Sequence, residues 1–262
     1  MLDQTEHIES ALSAQLLSHH ERMEEELLQA RSVQRYLLPP ENQTLTGCKL
    51  SHFYQPLYHV GGDFLDTLVR PDGILALMIA DVSGHGIAAA LSSAMLKHAF
   101  LRFATTADSP ATLLNNIDRE LRDAFFCGRF VTALAAFFDP ASRRLTMASA
   151  GHPHPIRHHD RTAQPLLFET GLPLFTGEDF PYENAPTVTL DPADRVLFYT
   201  DGLIETLHDR PEADEVQDIC QALAPPSACP PDPHPAAKLF ESLLFGNRVF
   251  RDDVTLLLLD CL

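Results

Sequence analysis

The chain has 262 residues, 45% of them hydrophobic, and a formal net charge of −17 at pH 7. That length suffices for one large domain or a domain with an extension, and the hydrophobic share supports a sizeable core. The charge argues against a nucleic-acid or anionic-membrane binder, because such a protein needs a basic patch and this sequence has none.

The N-terminus MLDQTEHIES has neither a positive n-region nor an apolar h-region, so no signal peptide is expected. The longest apolar runs, such as ILALMIA (74–80), are too short to span a bilayer. Residues 4–38 contain no Gly or Pro, and apolar or small residues recur at Ile8, Leu12, Leu16, Met23, Leu27, Ala30, Val33 and Leu37. Steps of mostly three, four or seven predict an amphipathic helix, ended by Pro39–Pro40. About 30 helical residues reach roughly 45 Å. One narrow stripe on so long a helix predicts a stalk that pairs with a second copy or a partner helix, although His19–His20 interrupts it; the alternative is a helix packed on its own domain. The chain thus divides into a helical segment, 1–40, and a domain, 41–262.

Beyond it, strands are expected at 49–57, 73–81, 130–138, 144–150, 186–190, 195–200 and 254–260. Helices are expected at 86–103 and 110–125, with shorter ones near 212–223 and 235–245. The turn sequence DPASRR makes a hairpin of 130–138 and 144–150. Strands in direct succession favour an α+β architecture over a parallel doubly wound sheet. The stretch APPSACPPDPHP (224–235) reads as an exposed loop. The five cysteines, Cys48, Cys127, Cys220, Cys229 and Cys261, form no CxxC and fit neither a zinc site nor a disulfide framework. A reduced, cytoplasmic setting follows as the expectation.

Four fragments carry the chemistry: VGGDFLD (60–66), IADVSGHG (79–86), YTDGLIE (199–205) and RDDVTLLLLD (251–260). An aspartate abutting a buried strand is costly unless its charge is compensated. Several brought together make an all-oxygen site for hard divalent cations, and so point to metal chemistry on phosphate. Asp63 follows two glycines that permit close backbone approach. Asp81 ends an apolar strand, and Gly84 and Gly86 leave the Val82 carbonyl free to face a cation. Taken alone, Asp63 could mark a simple turn, Asp201–Gly202 reads as a plain turn, and Asp81 or, better spaced, Ser83 could cap the helix after it. Of the adjacent Asp252 and Asp253, only one can point at a shared centre, since side chains alternate along an extended segment. The 13 histidines lack zinc-ligand spacing, and His152 in AGHPHPI reads as structural rather than as a ligand. No GxSxG or Walker loop is present.

In order, QARSVQRYLLPP (29–40), VGGDFLD, IADVSGHGIAAAL, FVTALAAFFDP (130–140), ASAGHPHPI (148–156), VLFYTDGLIET (196–206) and DDVTLLLL resemble the SpoIIE/RsbU branch of the metal-dependent protein phosphatase 2C family. The resemblance covers about residues 29–260. It implies a β-sandwich of two antiparallel sheets flanked by helices and preceded by the long N-terminal helix. It implies two or more Mn²⁺ or Mg²⁺ ions between the sheets, held by Asp63, Asp81, the carbonyl of Val82, Asp201 and Asp252, with Asp253 the lesser match. It further implies direct hydrolysis of phosphoserine or phosphothreonine with no covalent phosphoenzyme. The substrate it implies is a phosphorylated anti-sigma factor antagonist in a partner-switching circuit, with control exerted through residues 4–38. Competing readings are a non-catalytic scaffold of the same fold and a hydrolase of small phosphoesters. Three departures concern loop shape: Leu65 in place of Tyr, GLPLFTGED without the usual Gly, and PADR for a PGDR-like turn. Ser83 stands where eukaryotic relatives carry a proton-transfer His, so His85 is given no such role. No counterpart of their phosphate-binding Arg is found.

Overall fold

The Gly- and Pro-free stretch forms one helix, α1 (Leu2–Leu37), in the computed structural model, which describes residues 2–125, 128–160, 162–177, 180–207, 215–223, 234–243 and 250–262. It stops where Leu38 precedes Pro39, a position that disfavours helical torsions. The expected single stripe splits. Leu27, Ala30, Arg31, Gln34 and Leu37 turn toward the domain, whereas Leu12, Leu16, Met23 and Val33 are more than half exposed. The reason is that the docked face includes two polar residues, Arg31 and Gln34, which an apolar-periodicity rule passes over.

The rest of the chain follows as β1 (Asn42–Leu45), β2 (Cys48–Gln55), β3 (Phe64–Val69), β4 (Leu75–Val82), α2 (Ile87–Phe103) and α3 (Pro110–Leu121). A 3-10 turn at Arg122–Phe125 finishes what the sequence predicts as one helix to 125. Next come β5 (Val131–Asp139), β6 (Arg144–Ala150), β7 (Ile156–His159), β8 (Thr162–Pro165), β9 (Val188–Thr189), β10 (Arg195–Tyr199), α4 (Asp201–Leu207), α5 (Glu215–Leu223), α6 (Pro235–Leu243) and β11 (Val254–Cys261). Strands β1, β3, β7 and β8 and helix α4 are additions to the sequence-based expectation. The Pro-rich stretch from 224 to 233, Cys127 and Cys229 lie outside the described residues.

Among the described residues the strands make two antiparallel sheets, β1-β2-β11-β10-β7-β8 and β3-β4-β5-β6-β9. The sheets face each other through Leu65, Leu77, Ile79, Leu134, Phe138 and Met147 on one side and Leu50, Val196, Phe198, Leu257 and Leu259 on the other. Helices α2 and α3 cover the outer face of the five-stranded sheet with Leu96, Phe100, Leu113 and Ile117. Helices α4, α5 and α6 cover the six-stranded sheet with Leu203, Ile219, Leu239 and Phe240. The run Leu256–Leu259 therefore reads as unbroken Leu, because both faces of β11 are buried. Each fully buried Leu or Phe contributes roughly 1.5–3 kcal/mol relative to exposure.

One end of the inter-sheet layer turns polar by strict alternation. On β4, Leu75, Leu77 and Ile79 face the layer, and Asp81 is the next residue of that parity. The same count runs from Leu134 to Thr132 on β5, from Phe198 to Thr200 after β10, and from Leu257 through Thr255 on β11 to Asp253 just before it. The pattern that builds the core thus delivers its polar exceptions to a single edge.

Candidate metal centre

Asp63 lies just before β3 and is buried between the sheets. Its Oδ2 accepts hydrogen bonds from the hydroxyls of Thr200 (2.9 Å) and Thr255 (2.6 Å), both on the opposite sheet's strands or their ends. Burial, then the charges of Asp81 and Asp253, push its carboxyl well above the usual range against the pull of those two hydroxyls. Asp81 is pushed up to about 7 by burial and by the charges of Asp201, Asp252, Asp253 and Glu205. Asp201 opens α4 instead of occupying a plain turn; burial and Asp252 raise it. These residues come from four separate chain segments and feel one another as like charges. By contrast, two other aspartates have cationic partners. Asp66, also in the first motif, pairs with Lys97 at 2.6 Å, and Asp118 pairs with Arg122.

The two aspartates of the last motif take different jobs. Asp253 is buried, and its carboxylate accepts from the backbone N–H groups of Leu57 (2.7 Å) and Gly62 (2.6 Å), so it holds the loop before β3. Asp252 is half-buried, accepts only the neighbouring Asp253 N–H among the described residues, and lies close enough to Asp81, Asp201 and Glu205 to raise all three.

Two glycines clear space for the arrangement. A Cβ on Gly62 would stand 2.8 Å from the Val82 carbonyl oxygen, and one on Gly202 would stand 2.0 Å from the Asp253 carbonyl oxygen. The Val82 carbonyl thus borders the Gly61–Gly62 loop, beside Asp81. Ser83 does not cap α2. Its hydroxyl accepts from the Phe130 N–H at 3.0 Å, and the N-cap is Gly86, at φ 79° without a side-chain cap. His85 is exposed at the rim, its ring 5.3 Å from that of Tyr58.

Residues that sequence reasoning passed over complete the surroundings. Glu205 sits one turn beyond Asp201 on α4, and burial, Asp201 and Asp252 raise its carboxyl. The i, i+4 spacing would have found it had Asp201–Gly202 been read as a helix start. Gln34 of α1 forms a reciprocal pair with Gly61, donating from Nε2 to its carbonyl (2.7 Å) and accepting its N–H at Oε1 (3.1 Å). A second grouping, His159, Asp191 and Asp194, brings its ligand atoms within 4.8 Å of one another. There Arg157 already pairs with Asp194, so that cluster is an ion-pair network. The main site instead gathers oxygen ligands and uncompensated negative charge, which fits hard divalent cations such as Mg²⁺ or Mn²⁺. Asp63, Asp81, Asp201, Asp252 and the Val82 carbonyl are the oxygen groups there that could hold such ions.

Comparison with known proteins agrees with this architecture. Residues 71–262 match the family described as Stage II sporulation protein E (SpoIIE). The chain is 28% identical over 186 residues to the phosphoserine phosphatase RsbP of Bacillus subtilis (strain 168), covering 69% of this chain and 45% of that one. It therefore spans about half the length of the curated relatives it matches. The structure of the RsbU and RsbW domains of Rv1364c from Mycobacterium tuberculosis superposes with a TM-score of 0.69 at 27% identity, over 86% of this chain and 61% of that one. The SiaA-PP2C domain of Pseudomonas aeruginosa shares the fold, with a TM-score of 0.72 at 20% identity over 92% and 97% of the two chains. Structures with this fold include RsbX in complex with magnesium and the PstP catalytic domain with 2 manganese ions. The matched span, the two antiparallel sheets and the ordered motifs agree, and the chain belongs to the SpoIIE family, the SpoIIE/RsbU branch of the PP2C-type metal-dependent phosphatases.

Proposed function

We propose that this protein is a metal-dependent phosphatase of phosphoserine and phosphothreonine in proteins. The observation that carries the reading is the gathering of Asp63, Asp81, Asp201, Asp252 and Glu205 at one edge of the inter-sheet layer, where burial and mutual repulsion raise four of their carboxyls. Asp63, Asp81, Asp201, Asp252 and the Val82 carbonyl hold two or more Mn²⁺ or Mg²⁺ ions, while Asp253 serves the loop backbone. When bound, such ions supply an acidified water and neutralise phosphoryl oxygens. The chain's own contribution is positioning. Thr200 and Thr255 orient Asp63, Asp253 fixes the Gly62 loop, and Gly62 and Gly202 keep the approach to the carboxylates open.

The substrate is a phosphorylated regulatory protein of the anti-sigma factor antagonist kind, acting in the cytoplasm in a partner-switching circuit. Support comes from the likeness to a phosphoserine phosphatase and to a chain that joins RsbU and RsbW domains. Helix α1 pairs with a second copy or a partner helix through its exposed Leu12, Leu16 and Met23 and relays that state to the metal loop through Gln34. Removing residues 1–28 should change both turnover and oligomeric state; a truncated protein identical in both would refute the regulatory part. The activity itself is tested by phosphate release from a phosphothreonine peptide and p-nitrophenyl phosphate, with and without millimolar Mn²⁺, for the wild type and Asp201→Asn. Mn²⁺-dependent turnover lost in the variant is expected. A wild type that binds Mn²⁺ yet releases no phosphate would favour the scaffold reading.

A further inference from the structure

We infer that His152 is a positioning residue: its imidazole spans from the strand pair that carries Asp81 to the strand that leads into Asp201, and so sets the spacing of the two carboxylates. The inference rests on the metal-centre reading above.

His152 follows Gly151, whose φ of 66° swings the chain out of β6. Its backbone is then clamped: its N–H donates to the Ser149 hydroxyl (3.1 Å), and that hydroxyl donates to its carbonyl (3.3 Å). The side chain has no freedom left, with 3% exposure. Nδ1 is 3.0 Å from the Thr132 hydroxyl, and Thr132 is the direct cross-strand neighbour of Asp81. On its other side the ring lies against the backbone of Tyr199, two residues before Asp201 and next to Thr200, which holds Asp63. Burial drives the ring's pKa down to about 3. It is therefore a neutral imidazole with one donor and one acceptor nitrogen.

Nε2 is buried and makes no hydrogen bond among the described residues, although the Tyr199 backbone is near enough to favour a proton on the ring. An orphaned buried donor is costly, and a small approach of the sheets relieves it. Cations held by Asp81 and Asp201 would favour that approach. With Nε2–H donating to the Tyr199 carbonyl and Nδ1 accepting from Thr132, a single rigid ring ties one sheet to the other behind the site. Neither sequence periodicity nor metal-ligand spacing marks such a role, because His152 is itself no ligand.

The test is calorimetric titration of Mn²⁺ into the intact chain. His152→Asn keeps a polar atom near Nδ1 and loses the reach to Tyr199; His152→Gln carries an amide N–H to the Nε2 position; Thr132→Val removes the hydroxyl at nearly constant shape. Loss of a hydrogen-bonding support behind metal ligands typically weakens metal binding 10- to 100-fold, so about tenfold weakening is expected for His152→Asn, His152→Gln and Thr132→Val, each of which removes one end of the span. Equal affinity in the wild type, His152→Asn, His152→Gln and Thr132→Val overturns the inference. If His152→Asn fails to fold, Thr132→Val alone decides. A wild type that binds no Mn²⁺ overturns the metal centre itself, a result distinct from equal binding across the set.

Discussion

Replacing Asp81 with Asn should make the metal-free protein more stable, although it removes a proposed ligand. Burial and the charges of Asp201, Asp252, Asp253 and Glu205 raise the folded-state Asp81 carboxyl from 3.8 to about 7. Each pK unit corresponds to about 1.4 kcal/mol, so the ionised carboxylate costs the fold on the order of 4 kcal/mol once the pH exceeds 7. The sign follows from proton counting. Between about pH 4 and 7 the folded chain keeps a proton that the unfolded chain has released, so stability falls as pH rises through that window and levels off above it. Asn keeps the size of the side chain and removes its charge. At roughly 2–4 °C per kcal/mol for a chain of this size, the variant should melt about 10 °C above the wild type at pH 8 in EDTA. Most of that difference should vanish by pH 5, where the wild-type carboxyl is largely protonated. Saturating Mn²⁺ should raise the melting temperature of the wild type strongly and that of the variant little. Melting followed by circular dichroism from pH 5 to 8, with EDTA or Mn²⁺, supplies all four comparisons. A variant that melts below the wild type at pH 8 in EDTA, or a difference independent of pH, would refute the account of the site as uncompensated negative charge.

Three further outcomes follow from neighbouring contacts. Gly62→Ala places a Cβ 2.8 Å from the Val82 carbonyl oxygen. Overpacking of this kind costs about 1–3 kcal/mol, and calorimetry should find weaker Mn²⁺ binding together with the lower stability. Gly202→Ala is harsher, because the Cβ would meet the Asp253 carbonyl oxygen at 2.0 Å, backbone against backbone; urea unfolding should register a loss of about 3 kcal/mol or more. Gln34→Leu keeps the volume of the side chain but leaves the N–H and C=O of Gly61 without partners. A loss of roughly 1–3 kcal/mol per orphaned group is expected. The Mn²⁺ concentration for half-maximal turnover should rise, since the loop that carries Asp63 loses its attachment to α1.

How much of this was legible in the sequence depends on whether a residue's role is local. Asp63, Asp81, Asp201, Asp252 and Asp253 could be picked out because each interrupts or borders an apolar run, and a charge there demands compensation. The strands that alternate cleanly or lie wholly buried, β4, β5, β6, β10 and β11, were legible for the same reason. The failures are of a different kind. Strand β3 begins at Phe64 with a buried aspartate at its third position, Asp66, whose charge is satisfied by Lys97 31 residues away. Helix α4 starts on Asp-Gly, a turn signature that tertiary packing of Leu203 and Leu207 overrides. The face of α1 that docks is marked by a glutamine, and its meaning lies in the main chain of Gly61. His152 looked structural, and its hydrogen bond does end on a threonine of the framework. That threonine is nevertheless the cross-strand neighbour of Asp81, so support of the framework and support of the metal ligands are the same contact at this position. Apolar periodicity reports which face a residue occupies; it carries no information about which backbone group or cross-strand neighbour waits there, and this site is assembled from such pairings.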